Sequence, residues 1–207
     1  DEDFIFVPYC RPGFPLTMEI KKLILPSTNI LVLENHGLIV AGDDIEDTYK
    51  LLLKIHKKLD LIRNEKLALD YSEKITNIDD YIHKNIDKYK LFSTQNEKLF
   101  SLFSKSFYPD HVIFLGPGIP TFSEEKEANE FIQNLKRKNI NLPPYLIIKN
   151  IGLFENTLAI PAAKEMIDCF LEVLLRIDLS KSLKFLSSHQ ESELLNWDIE
   201  IYRQSIN

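Results

Sequence analysis

The sequence predicts an α/β protein of the α+β kind, with an antiparallel-rich sheet covered by helices and laid down as a tandem pseudo-repeat. Three observations predict it. First, Ile30-Leu31-Val32-Leu33-Glu34-Asn35-His36-Gly37-Leu38-Ile39-Val40 reads as a strand, a tight corner and a return strand. β-Branched and leucine residues suit a buried strand, and the glycine frees the backbone at the bend. Second, the order strand, Pro/Gly loop, helix, strand, Asn-x-Gly-Leu corner, strand, long helix occurs twice. Asn35, Gly37, Leu38 and Ile45 have counterparts in Asn150, Gly152, Leu153 and Ile160, each 115 residues further on. Self-similarity of this length decides the architecture. Third, 207 residues with 44% hydrophobic and 27% charged side chains are enough for a packed core in one ordinary domain or two small ones.

The elements follow in order. Residues 4–9 form a short strand ending at Pro8. Thr17 is placed to cap a helix over Met18–Leu25, stopped by Pro26. After the strand pair at 29–41, Asp43 and Asp44 open a helix from Ile45 to about Asn64. Ile45, Tyr49, Leu52, Leu53, His56 and Leu59 fall on one face of it. Residues 65–92 are rich in Lys, Asp and Asn and read as a polar connector with one or two surface helices. A helix over Asn96–Phe107 precedes a strand at His111–Leu115 and a loop at Gly116–Pro120. Thr121-Phe122-Ser123-Glu124 has the form of a capping box for a helix running to about Lys138. Tyr145–Ile148 and Leu153-Phe154 are strands around the second corner. A helix follows over Ile160–Ile177 with Pro161 in its first turn, and a last helix is capped near Ser188.

The totals narrow the class. A net charge of -6 gives no attraction to nucleic acid or an anionic membrane. No apolar run approaches the roughly 20 residues of a membrane span, and no signal peptide is visible, so a cytoplasmic location is expected. Cys10 and Cys169 lie far apart in sequence. Reduced thiols are the expectation, with a single disulfide as the alternative.

Asn35-His36-Gly37-Leu38-Ile39 ahead of a Gly42-Asp43 helix start resembles the segment carrying the last metal-binding histidine of the class II aldolase/adducin family. Phe6-Val7-Pro8-Tyr9-Cys10-Arg11-Pro12-Gly13 is similar to the strand and Pro-Tyr loop that precede it there. The resemblance covers residues 4 to about 62. A second, short resemblance lies in Glu193–Arg203, which looks like the Glu…Trp…Glu segment closing the aldolase portion of two-domain rhamnulose-1-phosphate aldolase/alcohol dehydrogenase proteins. No glycine-rich dinucleotide loop accompanies it. The resemblance implies three parts: residues 1–64 as the C-terminal part of a class II aldolase-like domain, 65–92 as the connector, and 93–207 as a degenerate second copy with a C-terminal helix. It implies a divalent metal, zinc in the first place, that polarises a phosphorylated sugar during reversible aldol cleavage or epimerisation. It also implies a homo-oligomer, since members of this family often form tetramers with sites between subunits. The alternative is a non-catalytic, adducin-like interaction scaffold.

In this light His36 is the leading metal ligand. A lone histidine at a strand corner is otherwise more often a hydrogen-bonded structural residue. Glu34, two residues earlier in the strand pattern, shares its face and either orients it or stands as a surface carboxylate. The second corner carries Lys149 and Ile151 at the matching positions; a lysine repels a cation and an isoleucine has no lone pair. The family's His-x-His pair, catalytic glutamate and phosphate-binding residues lie in a region that precedes the matched one, so the catalytic residues are unassigned. The other zinc ligands are expected upstream of Asp1 or on a separate chain; without them the site is dead. His56 reads as a satisfied core residue, His83 as solvated in the connector, His111 as the start of a strand, and Tyr9 as a packing residue. Gly116-Pro117-Gly118 lacks the Lys-Ser/Thr of a phosphate loop and reads as a turn.

Overall fold

A computed structural model describes residues 3–59 and 78–206. The chain divides into two compact units, Asp1–Arg63 and Asn64–Asn207. Both are mixed α/β, each with one small sheet that combines a parallel and an antiparallel pairing.

The first unit runs β1 (Ile5–Val7), α1 (Phe14–Leu23), β2 (Ile30–Leu33), β3 (Gly37–Val40) and α2 (Ile45–Leu59). β1 pairs parallel with β2, and β2 pairs antiparallel with β3. Val7, Leu31 and Leu33 form the small core, with Leu16, Ile20 and Leu23 of α1 packed against it. α1 starts four residues earlier than Thr17 capping would place it. Gly13 is its N-cap and Pro15 sits in its first turn, where a preset φ helps and the missing N–H costs nothing. Thr17 instead donates its hydroxyl to the Gly13 carbonyl from inside the helix.

The second unit runs β4 (Tyr81–His83), a 3-10 helix (Asp87–Ser93), α3 (Glu97–Leu102), α4 (Pro109–Leu115), β5 (Thr121–Phe122), α5 (Glu125–Arg137), β6 (Tyr145–Ile148), β7 (Gly152–Asn156), α6 (Pro161–Leu174), α7 (Ser188–Leu195) and α8 (Asp198–Ser205). Its sheet order is β4-β7-β6-β5, with β5 and β6 parallel and the other pairs antiparallel. One face packs on an aromatic-rich core that includes Phe92, Phe103 and Phe170. The other packs on Ala128 and Ile132 of α5.

Several expectations meet a different outcome here. His111–Leu115 is helix α4, not a strand: Pro109 opens it and its apolar run is buried all round, a pattern in which periodicity does not separate strand from helix. Of the 65–92 connector, residues 65–77 lie outside the described residues. From Tyr81 the chain joins the sheet as β4, and Tyr89, Leu91 and Phe92 are buried in the core. The capping box of α5 is Glu124 with Glu127, because Thr121 and Phe122 are drawn into β5. α3 ends at Leu102, and its N-cap Asn96 accepts the Leu99 N–H at 3.0 Å. The last helix is two, broken at Asn196 and Trp197, and the cap of α7 is Ser187 with Gln190.

The pairings of the two sheets coincide at one offset. Leu33 opposes Gly37 as Ile148 opposes Gly152, and Ile30 opposes Val40 as Tyr145 opposes Glu155. Phe6 aligns with Val32 as Thr121 aligns with Ile147. Every residue of the second set is numbered 115 above its counterpart.

Candidate functional site

The first corner is built by Glu34, Asn35 and His36, which form a turn between β2 and β3. The left-handed residue of the turn is Asn35, at φ 52°, a conformation its short polar side chain tolerates. Gly37 follows at φ 147°. Strand alternation therefore stops at Leu33, and Glu34 and His36 are placed by turn geometry instead. The Glu34 N–H donates to the Val7 carbonyl at 3.0 Å and the His36 N–H to the Leu33 carbonyl at 3.2 Å. The Glu34 carboxylate accepts the Tyr9 N–H at 2.9 Å. Glu34 thus ties the Pro-Tyr loop to the corner and holds a carboxylate beside the turn. His36 itself is exposed.

The second corner repeats the backbone with other side chains. The Lys149 N–H donates to the Phe122 carbonyl at 2.9 Å and the Ile151 N–H to the Ile148 carbonyl at 3.0 Å. Asn150 stands at φ 60° and Gly152 at φ 129°. Lys149 forms an ion pair with Glu97 and lies 6.0 Å from the centre of the Phe100 ring. Ile151 is buried in the apolar cluster that contains Ile78 and Phe154. His83 comes to this corner from β4. Its ring stacks on Phe154 at 4.6 Å and 13°, and its Nε2 lies 3.2 Å from the Ile151 carbonyl. Burial lowers the His83 pKa, against the raising effect of that carbonyl.

His56 is exposed on α2 rather than buried in a core. His111 is fully buried in α4, edge-on to Phe170 at 4.6 Å, and neither ring nitrogen has a hydrogen-bond partner. Burial pushes its pKa down to about 3. Both cysteines are free thiols.

Sequence reading missed a polar cluster on β7 and α6 in which Glu155, Tyr145 and Tyr89 are buried. The Tyr145 hydroxyl donates to Glu155 at 3.1 Å, with Lys84 and Lys164 at 3.3 and 3.5 Å from the same carboxylate. The Tyr89 hydroxyl donates to Asp168 at 2.7 Å, and Lys88 pairs with that residue at 2.6 Å. Burial, then the Glu155 charge, raises the Tyr145 pKa. At the end of this sheet away from the corner, an open depression of about 650 Å³ is lined by Phe114, Lys136, Leu142 and Asn156 among others. A signal for the Glu155 cluster exists in the alignment of the halves: Glu155 stands where the first half has Val40, and Asp168 where it has Leu53.

Zinc takes three protein ligands in catalytic sites and four in structural ones. Among the described residues no group of three or more His, Cys, Asp or Glu is placed to hold a metal ion. His36 and the other described residues therefore do not by themselves compose a metal centre.

The fold and the two corners define a mixed α/β chain with matched hairpins, one bearing an exposed imidazole. No family model matches the chain, and no solved structure matches it. A stretch of 66 residues, 31% of the chain, is 30% identical to the uncharacterized oxidoreductase YuxG of Bacillus subtilis (strain 168). The chain spans about a tenth of the length of that relative. Among the described residues no helix is long and apolar enough to cross a membrane.

Proposed function

We propose that the chain is part of a class II aldolase-like protein of the rhamnulose-1-phosphate aldolase-like branch, acting in the cytoplasm on a phosphorylated sugar by reversible aldol cleavage. On this reading the two units are copies of one aldolase-type module. The first keeps its site-bearing corner, and the second is degenerate. The carrying observation is the contrast at one backbone position: an exposed His36 in the first corner against a buried Ile151 in the second. Both corners keep the same turn, so the difference is in the chemistry offered and not in the scaffold. His36 would supply one imidazole to a divalent ion, zinc in the first place, with its other ligands outside the described residues.

The test is metal content and titration of the intact protein with Zn²⁺ or the spectroscopic probe Co²⁺. His36→Ala is expected to abolish binding and Ile151→Ala to leave it unchanged. Unaltered zinc content in His36→Ala removes His36 from the site. Release of an aldehyde from ketose phosphates, lost in the same variant, tests the reaction class.

The non-catalytic, adducin-like reading is supported by a different observation, the exposed apolar residues of α2. Intact protein purified without stoichiometric metal, and inert toward ketose phosphates, decides for it.

A further inference from the structure

The depression of about 650 Å³ in the second unit lies at the end of the sheet away from the corner, and nothing said so far uses it. Its lining includes the buried side chains of Phe114 and Ala163. Two strongly exposed apolar residues line it as well: Ile140, 51% exposed after α5, and Leu158, 87% exposed before α6. Single apolar residues scattered over a surface are ordinary, but two gathered at one hollow mark a binding surface. Only Asp80 and Lys136 of the lining are charged, and they form an ion pair with each other. The first half of the chain is acidic at the matching positions. Asp43, Asp44, Glu46 and Asp47 stand 115 residues before Leu158, Ala159, Pro161 and Ala162. Asp44 caps the start of α2 by accepting the Asp47 N–H at 2.8 Å, whereas α6 starts with Pro161 and has no acid in its first turn. A helix forms at both places, so the exchange of acids for apolar residues acts on what the surface attracts.

We propose that this depression binds a small neutral molecule with an apolar ring or alkyl body and one or two hydrogen-bonding groups. Its volume falls within the roughly 300–1,000 Å³ of small-molecule sites. Ile140, Leu158 and Phe114 take the apolar body. Asn139, Asn141 and Thr157, which also line the hollow, serve the polar groups, since a carboxamide offers both a donor and an acceptor. The lining selects against an ionised ligand. Either sign of charge meets an ion pair that is already made, and its loss of water goes uncompensated. The site belongs to the second unit alone and stands whether or not His36 binds a metal.

Fluorescence titration of the whole chain with N-phenyl-1-naphthylamine tests it, because this dye is neutral, apolar and carries one N–H. Saturable binding of one dye per chain is expected. 8-Anilino-1-naphthalenesulfonate has the same skeleton with an added sulfonate and is expected to bind at least about tenfold more weakly. Leu158→Asp places there the residue type that the first half has at Asp43. Leu158→Asp and Ile140→Asp both change exposed positions. Each is expected to weaken dye binding about three- to tenfold and to leave the urea midpoint unchanged. Leu52→Asp, on the exposed side of α2, is expected to leave dye binding unaltered. A chain that takes up no dye overturns the proposal, including where another part of the chain covers the hollow. Equal affinity for the sulfonate overturns the neutral class of ligand. Dye binding that survives both Leu158→Asp and Ile140→Asp overturns the site, and its loss in Leu52→Asp then moves the dye to α2.

Discussion

The two corners have the same backbone and opposite surroundings. Asn35 and Asn150 take the same left-handed conformation, and the hydrogen bonds of Glu34 and His36 recur at Lys149 and Ile151. Yet His36 faces solvent, and Ile151 lies under Ile78 and Phe154. A hairpin turn specifies where a side chain starts, and the elements packed around it specify what that side chain meets. The first corner can offer a lone pair to a ligand. The second has become part of a core, with His83 stacked on Phe154 and its Nε2 beside the Ile151 carbonyl.

The sharpest way to break this comparison is to truncate matched strand residues. Phe154 is 0% exposed and its counterpart Ile39 is 40% exposed. Phe154→Ala is expected to cost about 3–5 kcal/mol, read from urea unfolding followed by the fluorescence of Trp197, which lies in the second unit. Ile39→Ala is expected to cost about 1 kcal/mol or less by circular dichroism. Similar losses at the two positions dissolve the contrast between an open and a filled sheet.

A pH titration probes the core of the second unit. His111 has a folded-state pKa of about 3 against an ordinary value of 6.5. Above pH 6.5 the ring is neutral in both states, and the folded state loses nothing. As the pH falls from 6.5 toward 3, the unfolded chain takes up a proton that the folded chain refuses. Stability then drops by about 1.4 kcal/mol per pH unit, or about 2 kcal/mol at pH 5. His111→Leu is expected to flatten that part of the profile, measured by urea midpoints from pH 8 to 4. A slope unchanged in the variant assigns the acid sensitivity to another group.

The smallest effect sharpens the equivalence of the corners. Gly37 and Gly152 both have positive φ, so Gly37→Ala and Gly152→Ala are each expected to cost about 1–2 kcal/mol from backbone strain. A new Cβ at Gly37 meets nothing within 4 Å, and one at Gly152 meets His83 Nε2 at 3.4 Å. The two losses, read by thermal unfolding, are expected to agree within about 0.5 kcal/mol if that ring yields. A larger loss at Gly152 shows that the Phe154 stack holds His83 rigidly.

Much of the fold was legible in the residues. Tyr145–Ile148 is the strand that the apolar run indicated, and the 115-residue offset seen in four identities holds in the strand register. Of the candidate site, the corner that carries His36 was legible, while the place of Glu34 in the turn and not in the strand was not. The errors share one cause. His111–Leu115 is apolar throughout and equally suited to strand or helix, and only its packing against α6 shows which it is. His56 lies on an apolar stripe that looked like a core face, but the stripe is exposed. His83 sits in a polar stretch of sequence, and its placement depends on pairing with a strand some seventy residues away.

By itself the sequence determined the hairpins. An Asn-x-Gly corner between apolar runs encodes its turn within a few residues, through the left-handed tolerance of asparagine and the freedom of glycine. Only the tertiary structure decided that the first corner stays open and the second is filled, because burial is set by neighbours distant along the chain, such as Ile78 over Ile151 and Asp168 beside Tyr89.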